Sequence, residues 1–230
     1  MATLLFRLDG PLQSWGTDSK FENRRTEIIP TKSGIIGLLA AACGRKRDAD
    51  ISDLRKLHIG IRTDKPGVMI CDFHNAGTNT DKPYLTRRYY LSDAAFTVGI
   101  ESDDLNKLLE LKECLEHPEY PLFLGRRSCP PGLPLSPTID GKKLEEALLK
   151  WVWEDNDRKT PEIYSIYLEG KSGSMLRRMV DEPVSFDFHH RQYELRTITE
   201  KQVKNLNYTN QRQADLMGSC ETTHDAFEEV

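Results

Sequence analysis

Two successive β-α-β patterns, separated by a long polar insertion, constrain the fold of this chain more than any other feature. In each half an apolar strand precedes a helix with a face of apolar or small residues, and a second strand follows. Two such halves in sequence are the ferredoxin-like order, in which helices cover one face of an antiparallel sheet, so we expect an α+β fold. The elements are predicted at residues 3–8 (strand), 31–43 (helix), 57–62 (strand), 94–100 (strand), 103–117 (helix) and 120–124 (strand).

The pattern of apolar and polar residues changes at the proline-rich loop that ends at residue 134, and we interpret this loop as a domain boundary. Residues 1–134 are predicted to form the main domain, with an insertion at about 73–91 where the apolar pattern is lost. A helix and short strands then predict a smaller C-terminal α+β annex over residues 135–199. Residues 200–230 are polar with few apolar side chains and are predicted to form a flexible tail.

Several classes of protein are excluded by local composition. The most apolar run, residues 35–43, has nine residues, whereas a membrane-spanning helix needs about 20. The first residues lack the basic segment and the small-residue cleavage site of a signal peptide. The five cysteines never fall in a C-x-x-C spacing, which favours reduced thiols over a disulfide framework or a zinc finger. We therefore expect a cytoplasmic protein without a membrane partner.

The charge of the chain bears on whether it binds nucleic acid. Its 32 basic and 36 acidic residues give a net charge of −4, so whole-protein attraction to a polyanion is excluded. The basic residues are nevertheless grouped in doublets, among them Arg24-Arg25, Arg87-Arg88 and Arg126-Arg127. If several doublets converge in the fold, an acidic protein can still carry a basic groove, although any single doublet is typical of a solvated surface.

Two glycine-containing segments combine features that suit a phosphate group. Residues 30–34 place Lys32 and the hydroxyls of Thr31 and Ser33 at a helix start, where free backbone N–H groups attract anions. The alternative there is an ordinary capped helix, and the spacing is not that of a Walker A loop. In residues 125–128 a glycine permits close backbone approach, and the guanidiniums of Arg126 and Arg127 suit phosphates or bases. The alternative is a surface turn.

The insertion is the third candidate. It interleaves His74, Arg87 and Arg88 with tyrosines, a mixture that suits single-stranded RNA because bases stack on aromatic rings while phosphates pair with cations. Long insertions between strands are also more often functional than connecting. The alternative is a hairpin that clasps the protein's own body.

Motifs for catalysis are scarce. We find no nucleophile elbow, metalloprotease motif or paired carboxylates, and the adjacent His189 and His190 point apart, which makes them a poor metal pair. No catalytic residue, metal or cofactor is therefore predicted. His74 or His58 with a nearby tyrosine and lysine could in principle cleave RNA without a metal, by activating a 2′-hydroxyl.

Read together, four motifs resemble one known family. They are G-P-x-Q-x-W-G at residues 10–16, P-T-K-S-G at 30–34, Asp-Phe-His at 72–74 and L-G-R-R-S-C-P at 124–130. In this order they resemble the CasD-type subunit of Cascade, the type I-E CRISPR surveillance complex. The resemblance covers residues 8 to about 134, more than half of the chain, and the annex matches mainly by position.

The resemblance implies a RAMP protein, in which a ferredoxin-like (RRM-related) domain carries a β-hairpin "thumb", here at about 73–91. It implies a non-catalytic, guide-RNA-binding subunit that grips the 5′ repeat-derived handle and caps the backbone filament. The partners would be the guide RNA, the backbone RAMP subunits, the large subunit and, indirectly, target DNA. The alternative is a metal-independent endoribonuclease of the type I-C kind. The predicted RNA-binding residues are Gln13, Trp15, Arg24, Arg25, Thr31, Lys32, Ser33, His74, Arg87, Arg88, Gly125, Arg126 and Arg127.

Overall fold

The computed structural model describes residues 1–16, 22–76, 84–132, 134–152, 162–170 and 175–204. Strands predominate over helices in this part of the chain. The elements are β1 (Ala2–Asp9), β2 (Leu12–Gln13), β3 (Trp15–Gly16), β4 (Asn23–Arg24), β5 (Thr26–Glu27), α1 (Lys32–Ala42), α2 (Ser52–Arg55), β6 (His58–Lys65), β7 (Val68–Ala76), β8 (Tyr84–Ser92), β9 (Ala95–Ser102), α3 (Leu105–Glu116), β10 (Thr138–Asp140), α4 (Leu144–Lys150), β11 (Ile163–Glu169), β12 (Met175–Ser185) and β13 (Gln192–Lys204). None of the described helices has the length and apolar character needed to cross a membrane.

A seven-stranded sheet forms the centre of the molecule, with the strand order β10-β1-β9-β6-β11-β13-β12. All neighbours in it are antiparallel, and β1 pairs with β9 along its whole length. Four of its strands, β10-β1-β9-β6, are connected through α1 and α3 in the chain order β, α, β, β, α, β. Since β11 pairs with β6, the strands of residues 135–199 extend this same sheet.

Alternate side chains of β1 enter two different cores, because successive residues of a strand point to opposite faces. Leu4 and Phe6 are fully buried in the larger core, together with the apolar residues of α1 and α3. Leu5 packs instead in a smaller core with Leu148 of α4. Helices therefore cover both faces of the sheet, whereas the sequence predicted helices on one face.

Strands β7 and β8 form a second, separate layer. They pair antiparallel from Val68 opposite Ser92 to Ala76 opposite Tyr84, and β8 also pairs with β2 and, in parallel, with β4. The hairpin thus begins five residues before the insertion predicted at about 73–91. Residues 77–83 of that predicted insertion lie outside the described residues.

Two predicted elements are corrected by the structure. No strand forms at 120–124, where Pro121 lacks a backbone donor and Leu124 bonds instead with Cys129 and Ser14. The strand that follows α3 is β10, which lies on the other side of β1 from β9 and pairs Thr138 with Leu5. Residues 200–204, predicted to be part of a flexible tail, belong to β13 instead, with Lys204 opposite Ile163. The rest of that predicted tail, 205–230, lies outside the described residues.

Candidate nucleic-acid interface

Three arginines that are far apart in sequence lie on one face of the β8 layer. Arg24 of β4 is the register partner of Arg88 of β8, and paired positions in neighbouring strands project to the same face. Tyr90 lies two residues after Arg88 in β8 and therefore projects from the same face. The guanidinium carbon of Arg126 is 4.8 Å from the centroid of the Tyr90 ring. We call Arg24, Arg88 and Arg126 the arginine surface. The fold therefore brings one member of each of three doublets together.

The other member of each doublet is placed differently. Arg87 is exposed on the opposite face of β8, since successive strand residues alternate. Arg25 and Arg127 are exposed residues next to Arg24 and Arg126 in the chain. Of the doublet in β8, only Arg88 therefore belongs to the shared face.

The conformation of the loop that carries Arg126 is determined by backbone contacts of Gly125 and Leu124 with Ser14. Gly125 has a φ of +88°, and a Cβ at this position would collide with the carbonyl oxygen of Ser14, so the loop requires glycine. Ser14 N–H donates to the Leu124 carbonyl at 3.0 Å, which ties the loop to the exit of β1. The Arg126 Nη2 then donates to the Arg24 carbonyl at 2.7 Å. The Arg126 guanidinium is consequently positioned by a carbonyl and a buried aromatic ring, both uncharged.

A carboxylate lies at the border of the arginine surface. Asp72 of β7 is the register partner of Arg88, and its Oδ2 is 2.6 Å from Nε2 of His74. The hydrogen bond from His74, the backbone N–H of Phe73 and the charge of Arg88 hold the pKa of the Asp72 carboxyl below its usual range. His74 is therefore engaged with Asp72 and lies on the same face as Arg88.

The predicted phosphate site at the start of α1 is filled by the protein itself. Lys32 is 3% exposed, and its Nζ lies 2.9 Å from Glu169 Oε1 and 2.8 Å from Glu182 Oε2. The backbone N–H of Lys32 donates to Asp181 Oδ2 at 2.8 Å, and Arg196 donates to both oxygens of the same carboxylate. We call these five residues the Lys32 network. Carboxylates already occupy the positions that a phosphate would take.

The neighbouring hydroxyls are also internal. Thr31 is buried and caps α1, accepting a hydrogen bond from the Gly34 N–H, while the half-buried Ser33 donates to the Thr31 hydroxyl at 3.3 Å. The capped-helix alternative thus describes this segment, and Thr31, Lys32 and Ser33 do not form an anion site in this arrangement.

Gln13 and Trp15 are structural for a similar reason. Both are fully buried, and the Gln13 amide donates to the carbonyls of Leu8 and Ala94 while accepting from the Trp15 indole N–H at 3.1 Å. A Cβ on Gly34 would lie 2.7 Å from the Trp15 ring, so the indole lies directly on α1. These side chains join β1 to the β8 layer and to α1 and have no surface available to RNA.

Sequence reasoning missed Tyr90 as the support of Arg126, and it missed the carboxylates that surround Lys32. The first had a local signal, since Tyr90 follows Arg88 at the period of a strand. The second had none, because Asp181 is 149 residues from Lys32. Among the described residues, no group of three or more His, Cys, Asp or Glu side chains is arranged to hold a metal ion.

Comparisons with known proteins show which family this chain belongs to. The profile of the family described as CRISPR-associated protein (Cas_Cas5) matches residues 3–199. The CRISPR system Cascade subunit CasD of Escherichia coli (strain K12) is 33% identical over 171 residues, covering 64% of this chain and 76% of the E. coli protein. The resemblance inferred from the four motifs is thereby confirmed.

Two solved structures have the same fold. One, described as "Crystal structure of Cas protein", superposes with a TM-score of 0.71 at 40% identity and covers 88% of this chain and 95% of its own. The other, described as "CRISPR RNA-guided surveillance complex", has a TM-score of 0.73 at 27% identity and covers 94% of this chain and 99% of its own. The mixed α and β architecture is shared with both.

Proposed function

The chain belongs to the Cas5 family of CRISPR-associated proteins, and from this membership we propose that it is a non-catalytic, guide-RNA-binding subunit of a type I-E Cascade complex. The observation that carries the proposal is the convergence of Arg24, Arg88 and Arg126 on one face, although the chain as a whole is acidic. Local clusters of guanidinium groups bind the phosphates of a strand regardless of the total charge of the protein.

The 5′ repeat-derived handle of the guide RNA is the proposed ligand. The loop of residues 125–128 and the exposed Arg25 and Arg127 border the arginine surface, so a strand that crosses it would meet further cations on either side. We propose that Arg87 and His74 make only secondary contacts with the RNA. Arg87 projects from the opposite face of β8, and His74 is hydrogen-bonded to Asp72.

The β7–β8 hairpin is the proposed thumb. Its face opposite Arg88 exposes apolar side chains, with Met69, Phe73 and Leu85 between 48% and 58% exposed. Val68 and Ile70 are exposed on the other face, so apolar side chains are accessible on both sides of the hairpin. Exposed apolar side chains of this kind suit a protein neighbour. In this proposal they contact an adjacent backbone RAMP subunit, so that the chain caps the filament next to the large subunit and meets target DNA only indirectly. The strand order β10-β1-β9-β6 supports the ferredoxin-like interpretation of the main domain.

The test is binding of labelled repeat-derived RNA to the purified chain, measured across a salt series. Changing Arg126 and Arg127 to alanine should weaken binding and flatten the dependence of the logarithm of the affinity on the logarithm of salt concentration. The matched control is Lys46→Ala with Arg47→Ala, an exposed doublet beyond α1 with the same total charge. Equal losses in both double variants would show that binding is non-specific and would count against the proposal.

The endoribonuclease alternative is separated by incubating the chain with the same RNA in EDTA. The proposed function predicts intact RNA. Cleavage at one position that is lost in His74→Ala would establish the alternative, because a metal-independent nuclease needs a general base and His74 is the histidine beside the arginine surface.

A further inference from the structure

Strands β12 and β13, at the edge of the seven-stranded sheet, expose apolar side chains on one face. Val180 is the register partner of Leu195, and Leu176 lies on the same side of β12, since alternate strand residues share a face. All three side chains are between 51% and 58% exposed. Thr199, opposite Leu176, is also opposite Leu168, which packs against the smaller core under α4. The exposed residues therefore continue the α4 side of the sheet beyond the part that this helix covers.

The same face carries a positive charge. Arg178 lies in the middle of the exposed stretch of β12, and within the described residues it forms no ion pair. Of the described side chains that the two strands direct to this side, over residues 176–180 and 193–199, none is acidic. We call Leu176, Arg178, Val180 and Leu195 the outer sheet face. Because this face is both apolar and positively charged, it suits an occupant that combines apolar side chains with carboxylates.

The segment that follows β13 in the chain has this composition. Residues 205–230 contain five of the 36 acidic residues and one of the 32 basic residues, which leaves 31 of each sign in residues 1–204. The net charge of −4 therefore belongs entirely to this segment. Its carboxylates stand beside apolar residues in Asp215-Leu216-Met217 and in Asp225-Ala226-Phe227. The sequence thus supplies both kinds of group that the outer sheet face lacks.

The segment is long enough to return to this face. β13 ends at Lys204, nine residues after Leu195, which corresponds to about 30 Å along a strand. Leu216 follows Lys204 by twelve residues, and these reach about 40 Å when extended. A second copy of the chain fits the face less well. Antiparallel pairing of two β12 edges about Arg178 would place two like charges opposite each other.

We propose that residues 205–230 fold back across the outer sheet face, with their apolar side chains against Val180 and Leu195 and one of their carboxylates paired with Arg178. The segment then covers apolar surface that a separate subunit would otherwise expose to water. The contact does not involve the arginine surface, so it stands or falls independently of the proposed function.

Photo-crosslinking in the full-length chain tests where the segment lies. With p-benzoylphenylalanine in place of Leu195, mass spectrometry should find a crosslink to a peptide of residues 205–230 in the same molecule. The matched control places the same group at Leu109 of α3, which is 50% exposed, and should give no crosslink to this segment. Crosslinked dimers would assign the face to a second copy and overturn the proposal. A protein without any crosslink to residues 205–230 would overturn it equally.

Variants of the full-length chain test the chemistry of the contact. Arg178→Glu replaces the cation by a like charge, so the crosslinked fraction from position 195 should fall at least twofold. Val180→Asp, which places a carboxylate among the apolar side chains, should lower it further. The control Arg47→Glu makes the same charge change at an exposed residue beyond α1 and should leave the yield unchanged. Thermal melting verifies that each variant folds, and equal yields in Arg178→Glu and Arg47→Glu would contradict the proposal.

Discussion

Lys32 of the Lys32 network and Arg126 of the arginine surface are both basic residues next to a hydroxyl residue or a glycine in sequence, and the fold treats them in opposite ways. Lys32 is 3% exposed and lies within hydrogen-bonding distance of two glutamates. Arg126 is half-buried against a carbonyl and an aromatic ring, and no ion pair is formed by Arg24, Arg88 or Arg126 within the described residues.

The difference shows how a basic residue that stabilises the fold can be distinguished from one that is available to bind an anion. A buried charge is tolerated when its counter-charges are part of the chain, and the Lys32 network contains three carboxylates for two cations. Cations that are positioned by neutral groups keep their charge uncompensated, so that an external anion can neutralise it. The partners of a basic residue therefore matter more than its neighbours in sequence.

The largest expected effect is that of Lys32→Ala. Glu169 and Glu182 would be left without their shared cation, and the free energy of unfolding should fall by about 3–5 kcal/mol. Urea denaturation measures the loss. Lys150→Ala removes a lysine whose pair with Glu146 is fully exposed to solvent, and should leave the urea midpoint almost unchanged. A stable Lys32→Ala protein that binds RNA poorly would reverse the two roles.

Gly125→Ala tests whether the arginine surface depends on backbone geometry. A side chain at φ +88° is strained, and its Cβ would meet the Ser14 carbonyl, so we expect a loss of about 1–3 kcal/mol in stability. RNA affinity should fall as well, because the loop that positions Arg126 must move. Gly141 has open space around it and serves as the control, with Gly141→Ala expected to be neutral in both assays.

Asp53 provides an intermediate case, since it is paired but 42% exposed. Hydrogen bonds from Arg45 and then Lys107 hold the pKa of its carboxyl well below the usual range. A lowered folded-state pKa stabilises the fold above about pH 4 and loses that contribution as the pH falls further. Asp53→Asn should therefore cost about 1 kcal/mol or less at pH 7, and urea midpoints should converge with the wild type as the pH drops below 4.

The smallest expected effect is a gain. Asp72→Asn removes the negative charge opposite Arg88, and RNA binding should strengthen about twofold at low salt and less at high salt. Asp140→Asn, which removes a carboxylate paired with Lys142 on β10, should leave the affinity unchanged. Weaker binding in Asp72→Asn would show that Asp72 helps to position the strand instead of opposing it.

The sequence predicted most of the main sheet because apolar periodicity is a local signal. β1, α1, β9 and α3 lie where the pattern placed them, and Thr31 and Asp104 cap their helices as turn chemistry requires. The prediction failed at 120–124, a loop in which Leu124 is fully buried, Leu122 packs half-buried against the core and Tyr120 is exposed. Burial without a neighbouring strand to pair with cannot be read from the residues themselves.

The sequence likewise predicted only those features of the candidate site that depend on neighbouring residues in the chain. The doublets of the sequence predict the arginines. They do not show that Arg88 shares a face of β8 with Tyr90 while Arg87 lies on the other face, since that depends on the side of β8 on which the core lies. Nor could the sequence assign Lys32 to the interior, because its counter-charges belong to β11 and β12. Long-range pairing decided the outcome in each case.

The contact between Lys32 and Asp181 joins residues 149 positions apart, and this separation matters during protein synthesis. A nascent chain that has left the ribosome only as far as α4 contains helix α1 but none of the groups that neutralise its first residue. The helix gains its acidic partners once β11 and β12 have been translated, and Arg196 completes the set. Strands β11 to β13 thus complete the surroundings of helix α1.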